Sequence, residues 1–186
     1  MKKTVLTLFV IMTTTFTFAQ QTPKDMKSVV SNIQKMIERD DDGPQKAYAQ
    51  LLQQIDEQEK AGATVNAAIW HHITASYLYS ELEDKEWEIK DRTQLADDVI
   101  PEFEQWDINT YKQQIKAHFT KALAAEQMLK KIPSKDYQEI LKSFTCYETF
   151  KEAYKKIKIT SDLNTDVAVI NLIFPSIKEK LFDIII

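Results

Sequence analysis

Apolar residues recur at three- and four-residue steps along most of the chain. Met26, Val29, Val30, Ile33, Met36 and Ile37 mark one face of a helix over 25–38, which stops at the acidic "RDDDGP". Asp42 or Gly43 can cap a second helix with Pro44 at its first position. Ala47, Tyr48, Leu51, Leu52 and Ile55 carry its stripe to "EKAG". Lys60 suits the negative end of that helix dipole, and Gly62 suits the left-handed residue that closes it. Thr64 opens a third helix whose stripe is Ala67, Ala68, Trp70, Ile73, Tyr77, Leu78 and Leu82. Helices joined by one or two residues pack antiparallel, and Ala61, Ala63, Ala67, Ala68 and Ala75 allow close approach.

The pattern weakens between Asp84 and Trp106. Trp87 and Ile89 alternate with charges, and Pro101 bars a regular helix, so this stretch reads as a loop with short helical pieces. The clearest helix then runs from Asp107 to Lys131, on Ile108, Tyr111, Ile115, Phe119, Ala122, Leu123, Met128 and Leu129, and Pro133 stops it. Asp107 reads as its N-cap, with Trp106 and Tyr111 closing a hydrophobic staple. Another helix is predicted over 134–157, then a polar loop, then the apolar end "VAVINLIFPSIKEKLFDIII". The architecture expected is all-α, an antiparallel helical array of α-α hairpins similar to tetratricopeptide pairs, although no clean 34-residue period is present.

The N-terminus changes the picture. Lys2 and Lys3 precede an apolar, threonine-rich stretch from Thr4 to Phe18, and Thr17-Phe18-Ala19 has small residues at the outer positions of a cleavage site. This reads as a signal peptide over 1–19, too short for the ~20 residues of a membrane-spanning helix. The domain expected is 20–186, exported to the periplasm or the outer cell surface. Without Lys2 and Lys3 the balance is 22 basic to 28 acidic residues, a net charge of −6, which offers nucleic acid no basic patch. The two glycines, Gly43 and Gly62, cannot build a phosphate loop, and there is no G-x-S-x-G elbow. Cys146 is the only cysteine, so no intrachain disulfide forms and the fold depends on its core.

The candidate chemistry is sparse. His71 and His72 are adjacent, so on a helix they point ~100° apart and cannot grip one ion as an i, i+4 pair does. His118 stands alone beside Phe119. Neighbouring carboxylates such as Asp97-Asp98 read as solvated loop. No cofactor or metal is expected, and no catalytic residue. An enzyme would need His71 or His118 to meet an acidic partner in a cleft.

Two stretches go beyond generic helix. They are "WEIKDRT", Trp87 to Thr93, and "QWDINTYKQQIKAHFTKALAAEQMLKKIPSKDYQEIL", Gln105 to Leu141. With the preceding "AAIWHHITASYLYSELED" they resemble the N-terminal helical region of the large exported bacterial alpha-2-macroglobulin-like proteins. Trp87, Arg92, Thr93, Trp106, Asp107, Leu129, Ile132, Pro133, Asp136 and Tyr137 occupy the matching places. In that family the region leads into β-sandwich domains, a bait region and a thioester of C-x-E-Q form. Here Cys146 is followed by Tyr147, Glu148 and Thr149, so the thioester motif is absent. The resemblance implies a non-enzymatic interaction module, and the apolar end offers Leu181, Phe182, Ile184, Ile185 and Ile186 as the contact with a protein partner. The other reading is an independent, tetratricopeptide-like scaffold that binds peptides.

Overall fold

The computed structural model describes residues 21–39, 41–90, 92, 102–133, 135 and 137–142. The expected signal peptide, Thr93, Asp136, Cys146, the 143–157 part of the last predicted helix and the apolar end with Leu181, Phe182, Ile184, Ile185 and Ile186 lie outside these residues. The described chain is an antiparallel array of helices with no strand among the described residues. In order these are α1 (Pro23–Arg39), α2 (Gly43–Lys60), α3 (Thr64–Ile89), a 3-10 turn (Phe103–Gln105), α4 (Ile108–Ala124), α5 (Glu126–Leu129) and α6 (Gln138–Lys142). Among the first four helices each packs on its predecessor, most extensively α4 on α3, and α6 returns to α1.

Local chemistry sets the corners. Thr22 and Asp25 form a reciprocal cap ahead of α1: the Thr22 amide donates to Asp25 Oδ2 (3.0 Å), and the Asp25 amide donates to Thr22 Oγ1 (3.3 Å). At the next corner Asp42 occupies the cap position without a side-chain cap bond, and Pro44 takes the second helical position rather than the first. The Asp42 carboxylate pairs instead with Lys46 (2.8 Å). Gly43 is needed there because a Cβ would run into the Met36 carbonyl oxygen. Gly62 ends α2 as expected, with φ +67°. The Gly62 amide donates to the Glu59 carbonyl (3.0 Å) and the Ala63 amide to the Gln58 carbonyl (2.9 Å), so the last turn's free carbonyls are met before α3 begins.

α3 differs from expectation in two ways. Its burial is not a stripe: every residue from Asn66 to Leu78 is buried, which makes it the central helix of the array. It also continues through Ile89, so residues 84–89 of the expected loop are helical. Ile89 is buried and Trp87 is 70% exposed. Residues two apart on a helix point about 200° apart, so an alternation that looked irregular is a helix showing one side inward and one outward.

The expected 107–131 helix is broken at Ala125, whose amide donates to the Ala122 carbonyl (3.4 Å) before α5 restarts. Leu129 is buried beyond the break, whereas Met128, assigned to the stripe, is 51% exposed. The start of α4 is as the sequence implies. Asp107 Oδ1 accepts from the Thr110 amide at 2.7 Å. Trp106 and Tyr111 meet edge-to-face with centroids 5.1 Å apart. Phe103 and Tyr48 complete this aromatic group, stacked at 5.2 Å. Replacing Asp107 by Ala should therefore cost about 1 kcal/mol in urea unfolding. A loss near zero would contradict the cap.

Candidate functional site

The sequence sets His118 far from His71 and His72, and the fold brings His118 and His71 together. His71, in the second turn of α3, and His118, in the second half of α4, face each other across the α3–α4 seam. Their Nδ1 atoms are 2.8 Å apart and both residues are buried. On the far edge of the His71 ring, Nε2 lies 3.2 Å from Glu59 Oε1, at the end of α2. Lys121, one turn beyond His118, reaches to 4.0 Å from the same carboxylate oxygen. His72 does not join them: its ring packs near Phe119, with centroids 5.9 Å apart.

Elementary acid–base chemistry fixes the protons. Burial is the main force lowering the basicity of both imidazoles, opposed at His71 by the hydrogen bond to Glu59. At His118 burial, then His71, then Lys121 push the value down to about 3. Both rings are therefore neutral near pH 7. A carboxylate only accepts, so the His71 proton sits on Nε2 and donates to Glu59. His71 Nδ1 is then an acceptor, and the proton between the rings belongs to His118 Nδ1. The chain of donation runs from His118 to His71 to Glu59.

This arrangement resembles the orienting half of a catalytic triad, a carboxylate holding an imidazole in one tautomer. The nitrogen that would act as base is occupied by His118, itself buried. Nor does the cluster converge on a point where an ion could sit. Glu59 meets one edge of His71 and His118 meets the other, and no group of three such ligands is set to hold a metal among the described residues. Beside the pair lies an open groove of 340 Å³, floored by Ala67, Ala68, Ala124 and Ala125 and edged by Glu59 and Lys121.

A second polar cluster ties the segment before α1 to α2 and α3. Trp70 Nε1 donates to Gln21 Oε1 (2.9 Å), and Asn66 Nδ2 donates to the Gln21 carbonyl (2.8 Å) and to Gln58 Oε1 (3.1 Å). Gln21 in turn bonds Gln54 through its side chain. None of these side chains titrates, and their bonds are structural.

The residues that carried the family resemblance fall in different parts of the described structure. Arg92, Trp106 and Asp107 come together: Arg92 Nη1 donates to the carbonyls of Glu104 (2.7 Å) and Trp106 (2.9 Å), holding the turn that leads into the Asp107 cap. Tyr137 is buried near α6, and Pro133 is exposed. Trp87 is exposed to solvent. Among the described residues no helix is long and apolar enough to cross a membrane.

The proton assignment is directly observable. Long-range ¹H–¹⁵N correlation at pH 7.5 should find His118 as the Nδ1–H tautomer and His71 as the Nε2–H tautomer. Finding both rings as Nε2–H would contradict the donation chain, because two bare Nδ1 lone pairs would then face each other.

No family model, curated protein or solved structure matches the chain.

Proposed function

We propose that the chain is an exported, non-enzymatic helical interaction module, of the kind that forms the leader region of bacterial alpha-2-macroglobulin-like proteins. The observation that carries this reading is the contrast within the resembling residues. Arg92, Trp106 and Asp107 are spent on holding one corner of the fold, while the Trp87 indole is 70% exposed on α3. A tryptophan left in water costs hydrophobic free energy that a partner surface would recover, and tryptophan is over-represented where binding energy concentrates. The occupied base nitrogen of His71 supports the non-catalytic part of the reading.

A second reading, an independent peptide-binding scaffold similar to tetratricopeptide arrays, is favoured by the alanine-floored groove beside Glu59 and Lys121. The two readings place the partner on different faces. Calorimetric titration with a bacterial alpha-2-macroglobulin-like protein lacking its own helical leader should give micromolar or tighter binding. Trp87→Ala should weaken it at least tenfold. Equal binding by both forms, or no binding by either, would count against the module. Binding lost on Lys121→Glu but kept in Trp87→Ala would favour the groove.

A further inference from the structure

The contact between His71 and His118 has room for one proton. Their Nδ1 atoms are 2.8 Å apart in the α3–α4 seam, where Ala68 of α3 and Ile115 and Phe119 of α4 are buried too. A second proton would set two N–H donors against each other where each requires an acceptor. Glu59 does not relieve that clash, because it is already bonded to the opposite edge of the His71 ring. Lys121 adds further positive charge on the α4 side. Among the described residues the titratable groups facing the pair are therefore Glu59 from α2 and Lys121 from α4, with His71 and His118 themselves. The groove along the seam brings solvent to the edge of His71. The opposite side of the array is built differently. Met26, Val30 and Ile33 of α1 and Ala47 and Leu51 of α2 are buried there, and the buried polar residues of α2 are Gln54 and Gln58, neither of which titrates.

We propose that the His71–His118 contact is an acid-sensitive latch: a proton taken up between the two rings breaks it and opens the α3–α4 seam, while the α1–α2 side stays closed. The latch is shut and indifferent to pH while histidines released from the seam would also be neutral, above about pH 6.5. Below that, the open seam accepts a proton that the closed seam refuses, because burial holds His118 at about 3. Opening is favoured by about thirtyfold at pH 5 when His118 is released with an ordinary value.

Hydrogen–deuterium exchange on the purified chain at pH 7.5 and 5.0, corrected for intrinsic exchange rates, reads the latch without any mutation. Protection of amides within 67–75 of α3 and 115–122 of α4 should fall at least tenfold at pH 5.0, while amides within 26–37 of α1 change less than twofold. His118→Asn keeps a donor where Nδ1 stood and removes the titration, so its seam should lose protection less than the unmodified seam does. Unchanged seam protection at pH 5.0, or an equal fall in all helices, overturns the latch. So does a His118→Asn chain with the same pH response as the unmodified one. If that variant does not fold, the exchange pattern of the unmodified chain decides alone.

Discussion

A helix buried around its whole circumference leaves its polar side chains nowhere to go but into other protein groups. From Asn66 to Leu78, α3 is in that position, and the neighbouring elements are arranged to answer it. Asn66 is met by Gln58 and by the backbone before α1, Thr74 by the Trp70 carbonyl, and Tyr77 by the Pro44 carbonyl at the start of α2. His71 is met from two sides, by Glu59 of α2 and His118 of α4. Asn66 Oδ1 and Ser76 Oγ have no partner among the described residues. The α2–α3 and α3–α4 packings are thus linked through single side chains as well as through apolar contact. Removing one partner strands the other in a place without water, which costs more than the bond itself contributed.

The entry to α4 solves a different problem, that of setting the chain back onto α3. Arg92 fixes the incoming backbone through two carbonyls, Asp107 satisfies the first free amide, and Trp106 anchors the corner among Tyr48, Phe103 and Tyr111. With that corner fixed, the phase of α4 places Ile115, Phe119 and Ala122 inward together with His118. Trp87 takes no part in this scaffolding, which is why it carries the functional proposal and its motif companions do not.

Features set by neighbours in sequence were legible before the fold. Gly62 and Asp107 act through backbone groups within five residues of themselves, so residue type and spacing suffice to read them. The continuation of α3 through Ile89 was not, because an alternation of Trp87 and Ile89 is also what one inward and one outward residue of a helix look like. The histidine pair was not legible either, since it joins residues 47 apart whose meeting depends on how α4 is phased against α3. A signal was nonetheless present. His118 lies three residues after Ile115 and four before Ala122, and His71 lies three and four after Ala68 and Ala67, so each sits on its helix's apolar stripe. Two polar residues on two apolar stripes require partners, and in an antiparallel pair they are candidates for each other. The Glu59 contact follows from the tight turn at Gly62, which sets the end of α2 beside the start of α3.

A matched pair of imidazoles, His71 and His118, joins α3 to α4. A double-mutant cycle tests this pairing most directly, with His71→Leu, His118→Leu and the double variant compared in urea at pH 7.5. Each single change leaves a buried ring nitrogen without its partner and should cost about 1–3 kcal/mol, whereas the double change removes both and should cost no more than the worse single, a coupling of about 1 kcal/mol or more. Additive losses, with coupling near zero, would contradict a paired seam.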